Sequence, residues 1–262
     1  MISASRPIEI NKLRGALADP IAPEPFLSAV AAAVPSHRFL GNSAQAVYRR
    51  QVAFLTQVLK TDTGEQPERL TVLDWGCGKG QITYLLRKQR FAVVSTDLLS
   101  EAADSAFGQA TPILKELGVD VVPIQDPIKL PFEAARFDCV TSFGVLEHVA
   151  SDIDSLREIR RVLKPNGIFY LSFLPYFLSW TQALARMRGN DYHDRLYHRR
   201  KVRDLASRCG FKVESMWLAQ LFPKNSIPYR LDSWLEPVDR ALCRYTPLKF
   251  FATNLEAVLR AV

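Results

Sequence analysis

The sequence LTVLDWGCGKG, residues 70–80, decides the fold class of this chain. The apolar residues at its start predict a buried strand, and residues 79–88 predict a helix. The turn between them contains three glycines at alternate positions, Gly76, Gly78 and Gly80. Glycine has no Cβ and tolerates positive φ, so the backbone can approach a ligand closely here. We therefore expect a cofactor to lie across these glycines.

The spacing of the glycines bears on which cofactor binds. A dinucleotide-binding turn has the pattern G-x-G-x-x-G, whereas here the third glycine comes one position early and Gln81 replaces the expected glycine. A second predicted strand, residues 91–96, is followed by Asp97, which is placed to accept hydrogen bonds from two ribose hydroxyls. With Asp74 before the glycines, this pair of acids suits a positively charged ligand better than a pyrophosphate.

Four segments in a fixed order carry a family resemblance. They are the glycine turn with Asp97, Asp126 with LPF at 130–132, FDCVTSFGVLEHV at 137–149, and LREIRRVLKPNGIFYLS at 156–172. This stretch resembles the class I S-adenosylmethionine-dependent methyltransferases, in the small-molecule branch that includes the ubiquinone-type, methyltransferase type 11-like enzymes. The resemblance implies S-adenosyl-L-methionine as the cofactor.

Strands and helices alternate regularly from residue 70, which predicts a parallel sheet with right-handed crossovers. The resemblance implies an α/β, Rossmann-like methyltransferase fold: a mostly parallel seven-stranded sheet with helices on both faces. We expect its last strand, residues 252–260, to run antiparallel and close the sheet edge, and one helix to begin near Ser100. Residues 1–64 are predicted to be a helical extension that caps residues 65–262, with insertions at about 174–200 and 218–250.

The resemblance also implies roles for individual side chains. Asp97 takes the ribose hydroxyls, and Asp126 either binds the adenine amino group or only closes a turn. Asp74 either orients the glycine turn or contacts the methionine ammonium indirectly. Phe143 faces the transferred methyl group. The predicted cofactor-binding residues are Asp74, Gly76, Cys77, Gly78, Gly80, Asp97, Leu98, Asp126, Pro127 and Phe143.

Glu147 and His148 are the predicted catalytic residues. A histidine side chain has an unperturbed pKa of about 6.5, so His148 is placed to remove a hydroxyl proton. Its imidazole could instead be structural, since methyl transfer can proceed by proximity alone. Together the two side chains could hold a divalent ion, as in some ubiquinone-pathway relatives, but two ligands do not make a site. We expect no metal.

Residues 174–200 form an insertion at the carboxyl end of the fifth predicted strand, above the active site. Its aromatic and cationic side chains, with a looser resemblance to a histidine-arginine-tyrosine patch in family members, make it a candidate acceptor site. Each of these side chains could equally serve local packing. The predicted acceptor contacts are Tyr192, His193, Arg195 and Tyr197.

The second insertion contains an amphipathic helix. Leu231, Trp234, Leu235, Val238 and Leu242 recur at helical spacing. This face either packs onto the domain or forms an apolar lid or interfacial helix. Two aromatic insertions favour a bulky, partly apolar acceptor.

The net charge is +7, and the excess clusters in residues 157–164 and 195–208. These are either solvated helix faces or sites for an anionic partner: a phosphate on a lipid-linked substrate, an acidic membrane surface, or RNA. Peripheral membrane contact therefore stays open. Residues 165–185 carry no formal charge, but Asn166, Gly167 and Pro175 interrupt them, so we expect a buried strand and no membrane span.

Four scattered cysteines without a C-x-x-C pair indicate free thiols in a reducing compartment. The N-terminal residues lack an apolar core of signal-peptide length, so we expect a cytoplasmic protein. The leading hypothesis is an S-adenosylmethionine-dependent methyltransferase that methylates a small-molecule or lipid-linked metabolite, most readily at oxygen. The alternatives are an RNA methyltransferase, for which no separate RNA-binding module is evident, and a cofactor-binding protein without chemistry.

Overall fold

The structure is a computed structural model that describes residues 10, 13, 23–34, 37, 40–98, 111–189, 193, 195–222 and 229–262. At residues 42, 43, 229–234 and 236 it describes the backbone alone. The helices are α1 (Pro25–Ala33), α2 (Asn42–Thr63), α3 (Gln81–Lys88), α4 (Pro112–Glu116), α5 (Asp152–Val162), α6 (Trp180–Met187), α7 (Arg199–Arg208) and α8 (Tyr229–Tyr245). Short 3₁₀ helices span Pro67–Arg69 and Pro247–Phe251.

Seven strands form one sheet. They are β1 (Thr71–Trp75), β2 (Ala92–Leu98), β3 (Val122–Ile124), β4 (Phe137–Phe143), β5 (Leu163–Pro175), β6 (Phe211–Ala219) and β7 (Asn254–Ala261), in the spatial order β3-β2-β1-β4-β5-β7-β6. The first five strands pair in parallel, and β7 pairs antiparallel with both β5 and β6. The predicted fold class, a mostly parallel seven-stranded sheet with an antiparallel last strand, is confirmed.

One detail of the strand order differs from the prediction. β7 does not close the edge of the sheet but lies between β5 and β6, so β6 is the edge strand. All eight residues of β7 are buried. A strand with this burial needs a hydrogen-bonded neighbour on each side and a packed layer on each face, which the edge position does not provide.

Helices cover both faces of the sheet, as predicted. On one face, α5 and α7 pack through Leu156, Ile159 and Leu205 against Phe169 and its neighbours. On the other, α2 and α3 bury an apolar cluster against the sheet, including Leu55, Val58, Leu86, Val72 and Val258. Burial of such side chains contributes about 1.5–3 kcal/mol each to folding.

The predicted leading helices, 26–34 and 44–60, are observed as α1 and α2. Their buried apolar side chains belong to the same hydrophobic cluster as those of the adjacent sheet face. Arg260 on β7 donates to Asp62 Oδ1 and Oδ2 at the end of α2, at 2.9 and 3.0 Å. The division into a capping extension and a catalytic domain stays a prediction. The helix predicted near Ser100 falls outside the described residues.

Both predicted insertions contain a helix in the structure: α6 in the first and α8 in the second. Among the described residues, no helix combines the length and the apolar character required to cross a membrane.

Candidate active site

The glycine turn after β1 is anchored to β2. The backbone N–H groups of Gly76 and Cys77 both donate to the carbonyl of Thr96, at 2.9 and 3.1 Å. Gly76 has a φ of +70°, and a Cβ there would lie 2.6 Å from Val145 Cγ2. A Cβ at Gly80, with a φ of +86°, would lie 2.6 Å from Leu114 Cγ. Glycine is therefore required at both positions by conformation and by space.

Asp74 lies beneath this turn and is 1% exposed. Thr83 Oγ1 donates to its Oδ2 at 2.7 Å, and Thr141 Oγ1 donates to its Oδ1 at 3.3 Å. Burial raises the pKa of Asp74 to about 6. These contacts tie β1 to α3 and β4, which suits the predicted role of orienting the turn.

Asp97, at the end of β2, also forms a hydrogen bond with the glycine turn. Its Oδ2 accepts the N–H of Gly78 at 2.6 Å, and its Oδ1 accepts the N–H of Leu98 at 2.8 Å. Burial raises the pKa of the Asp97 carboxyl, while the two N–H donors act to lower it. An ionised carboxylate has about four lone-pair sites, so each oxygen can accept a further hydrogen bond.

A cavity of about 670 Å³ opens beside these residues, at the carboxyl ends of β1, β2 and β4. This volume is in the range of small-molecule sites, about 300–1,000 Å³. The predicted site residues that line it are Gly76, Cys77, Gly78, Asp97, Leu98, Pro127, Phe143 and His148. The structure brings these eight together around one space.

Several lining residues were not among the predicted site residues. They are the apolar side chains Ile82, Ile124, Ile128, Leu130, Val145 and Val149. Singly, each looks like an ordinary core residue, and only the fold turns it toward the cavity. They make the cavity walls largely apolar.

Asp126 and Gly80 are predicted site residues that do not line the cavity. The Asp126 carboxylate accepts the N–H groups of Ile128 and Lys129, at 2.8 and 3.0 Å, which lowers its pKa. It closes a turn through its own side chain, which was the alternative to adenine binding. Gly80 instead lies against Leu114, at the start of α3.

Glu147 and His148 follow β4. Glu147 is 1% exposed, burial raises its pKa to about 7, and its Oε2 has no hydrogen-bond partner among the described residues. His148 is half-exposed and lines the cavity, with its Nε2 3.9 Å from Glu147 Oε1. Thus a histidine faces the cavity and an acid lies behind it.

The first insertion reaches this pair. The ring of His193 packs on that of His148, with centroids 5.5 Å apart and the planes tilted by 36°. The guanidinium of Arg195 donates to the carbonyls of Val149 and Ala150.

Tyr197 is fully buried, and its hydroxyl donates to the carbonyl of Leu146 at 3.1 Å. Arg195 and Tyr197 therefore fasten the insertion to the loop after β4, and their contact with an acceptor stays a prediction. Tyr192 lies outside the described residues. Of the described acceptor candidates, His193 has its ring packed on that of His148.

Glu147, His148 and His193 each offer one ligand atom, and these atoms all lie within 4.8 Å of one another. Nitrogen and carboxylate ligands in such a group are chemically suited to a divalent ion. The sequence had suggested only the first two, because nothing in the pattern of residues 174–200 connects His193 to the loop after β4. The absence of a metal stays a prediction.

The family described as "Methyltransferase domain" matches residues 43–216, well over half of the chain. The match includes α2, the glycine turn, the loop after β4 and most of β6.

The curated relatives include methyltransferases. A ubiquinone biosynthesis O-methyltransferase of Caulobacter vibrioides is 34% identical over 127 residues, which cover 48% of this chain and 48% of the relative. The mitochondrial ubiquinone biosynthesis O-methyltransferase of Candida albicans is 35% identical over 130 residues, covering 47% of this chain and 38% of the relative. The matched stretch thus spans about half or less of these relatives.

Solved structures share the fold. A SAM-dependent methyltransferase of Thermotoga maritima superimposes with a TM-score of 0.54 at 14% identity, covering 90% of this chain and 99% of that one. The cyclase SpnF superimposes with a TM-score of 0.51 at 19% identity, covering 83% of this chain and 82% of that one. At these identities the likeness concerns the fold alone, and chemistry has to be argued from the site.

Proposed function

The chain belongs to the class I S-adenosylmethionine-dependent methyltransferases, and from this premise we propose that it methylates a hydroxyl of a small-molecule or lipid-linked acceptor. The observation that carries the proposal is the cavity in which the glycine turn and Asp97 meet His148. The O-methyltransferase names of the curated relatives support oxygen as the methylated atom. The largely apolar walls support a partly apolar acceptor rather than RNA.

The residues fit the cofactor. Gly76 and Gly78 let the backbone come close to its methionine and ribose portions, and Asp97 retains lone pairs for the ribose hydroxyls. Pro127 and Ile128 offer apolar surface for the adenine. When bound, S-adenosyl-L-methionine supplies an electrophilic methyl group on a positively charged sulfur.

The main task of the protein is to hold the acceptor hydroxyl close to that methyl group and in line with the breaking bond. Positioning of this kind can supply about 7–11 kcal/mol of a barrier. Phe143 and Gly144 line the cavity next to His148, and Val145 packs over Gly76. These groups also exclude water from the reacting atoms.

His148 is the proposed proton acceptor. His148 would take the proton of the acceptor's O–H as the oxygen gains the methyl group that a bound S-adenosyl-L-methionine would supply, and the sulfur would keep the electron pair of its former methyl bond. Glu147, 3.9 Å behind, stabilises the resulting imidazolium when ionised. The half-exposed His148 can then return the proton to solvent.

The test is methyl transfer from labelled S-adenosyl-L-methionine into a fractionated cell extract. The proposal predicts label in organic-extractable or small-molecule fractions, lost in the Asp97→Ala variant. Label confined to RNA, in reactions suppressed by moderate salt, would replace the proposed acceptor class with nucleic acid.

A further inference from the structure

Exposed apolar side chains are concentrated in two segments of the molecule. Of the thirteen large hydrophobic side chains that are exposed among the described residues, ten lie within residues 177–187 and 222–251. We call these ten the apolar end surface: Phe177, Leu178, Trp180, Met187, Phe222, Val238, Tyr245, Leu248, Phe250 and Phe251. Contiguous exposed apolar surface on a folded domain marks an interaction site.

Both segments leave the sheet at the same end. Asn254, the first residue of β7, pairs with Pro175 at the end of β5 and with Ala219 at the end of β6. The segments therefore start and finish within neighbouring strands. The 3₁₀ helix Pro247–Phe251 packs against α8 and β6, which keeps its aromatic residues at this end.

Hydrogen bonds join the two segments to each other. Trp180 Nε1 donates to the carbonyl of Leu221 at 2.7 Å. Asp239 Oδ1, on α8, accepts the N–H groups of Leu221 and Phe222 at 2.7 and 2.9 Å. The start of α6, the residues after β6 and the middle of α8 are thus held together.

The charge on the same segments is positive. Residues 177–189 and 222–251 contain seven cations, Arg186, Arg188, Lys224, Arg230, Arg240, Arg244 and Lys249, and three acids, Asp232, Glu236 and Asp239. Of these acids, Asp239 accepts backbone N–H groups as described above. Arg244 lies over the ring of Tyr245 at 5.3 Å, and Lys249 over that of Phe250 at 5.7 Å. A surface that combines aromatic rings with Arg and Lys is suited to bind the interface of an anionic membrane.

We propose that the apolar end surface docks on an anionic lipid bilayer, with its aromatic side chains among the head groups and its cations on the lipid phosphates. Docking would also place the cavity near the lipid. Arg195 and Tyr197 fasten the first insertion to the loop after β4, and Val149 and Ala150 of that loop line the cavity. An acceptor dissolved in the membrane would then have a short path to His148, a consequence that rests on the proposed function, whereas docking itself does not.

The experiment is co-sedimentation of the full chain, without cofactor, with phosphatidylcholine vesicles that contain or lack phosphatidylglycerol. The expected result is binding to the phosphatidylglycerol vesicles that weakens with salt. Leu248→Ser combined with Phe251→Ser should reduce the partition coefficient about tenfold or more, since binding scales with buried apolar area. Val262→Ser, at a still more exposed apolar position outside both segments, is the control and should bind like the wild type.

A second variant does not touch the apolar residues. Arg244→Glu combined with Lys249→Glu should abolish the preference for phosphatidylglycerol, while the melting temperature shows that the fold is intact. Equal binding to neutral and anionic vesicles, or none to either, would overturn the proposal. So would a dimer in light scattering that the Leu248→Ser and Phe251→Ser pair dissociates, since a second copy of the chain would then cover the surface. Because these readouts need no methyl transfer, they fail or succeed independently of the proposed function.

Discussion

Replacing Asp97 with alanine tests the cofactor site through a single carboxylate. In the structure Asp97 uses its two oxygens on the N–H groups of Gly78 and Leu98, and its other lone pairs remain for the ribose. One charge-assisted hydrogen bond contributes about 1.5–3 kcal/mol, and about 1.4 kcal/mol corresponds to a tenfold change in affinity. We therefore expect Asp97→Ala to weaken S-adenosyl-L-methionine binding at least about tenfold in isothermal titration calorimetry.

Two controls separate ribose binding from damage to the turn. Asp97→Asn keeps an oxygen that can accept the Gly78 N–H but removes the charge, so it should bind more tightly than Asp97→Ala and more weakly than the wild type. Asp120→Ala removes an exposed acid outside the cavity and should leave affinity unchanged. Unaltered affinity in Asp97→Ala, or an equal loss in Asp120→Ala, would refute the assignment of the ribose to Asp97.

The remaining predictions concern the catalytic pair and the turn. His148→Ala should lower kcat about 10²–10⁴-fold with little change in cofactor affinity, the usual range for a general base; a normal kcat across the pH range would remove His148 from proton transfer. Glu147 has its pKa raised to about 7, against about 4.3 unfolded, so the folded state binds its proton more tightly. Its contribution to stability is full below about pH 4.3 and is lost as the pH rises through about 7. This contribution to the free energy of unfolding is roughly 4 kcal/mol. Urea unfolding should show this loss in the wild type and a flatter profile in Glu147→Gln, and parallel profiles would contradict it. Gly76→Ala adds a Cβ that would lie 2.6 Å from Val145 Cγ2, at a residue whose backbone is left-handed. It should therefore lower the free energy of unfolding by about 1–2 kcal/mol and weaken cofactor binding. An unchanged melting temperature and affinity would show that the turn is looser than described. Activity should survive prolonged dialysis against a chelator, and a divalent ion retained on Glu147, His148 and His193 by elemental analysis would contradict that.

The parts of the site that the sequence predicted depend on short-range geometry. Glycines at alternate positions after a strand predict a turn that approaches a ligand, and the structure gives Gly76 and Gly80 positive φ and no room for a Cβ. Asp97 lies at the carboxyl end of its strand, so its side chain is at the same end of the sheet as the turn. Local pattern was sufficient at these positions.

The parts that the sequence left open depend on long-range packing. An acid after a strand can reach a ligand or close its own turn. Asp126 closes its turn, and its contact with the adenine stays a prediction. Nothing in residues 174–200 shows that His193 packs on His148 while Arg195 fastens the loop beside it. The position of β7 between β5 and β6 follows from pairing between distant segments, which periodicity does not encode.

The most direct test is a crystal structure of the full chain with S-adenosylhomocysteine, the product that remains after methyl transfer. The account predicts that this ligand lies across Gly76 and Gly78, with its ribose hydroxyls on the Asp97 carboxylate and its sulfur facing the side of the cavity that holds His148. A ligand bound elsewhere, or a ribose that makes no contact with Asp97, would contradict it.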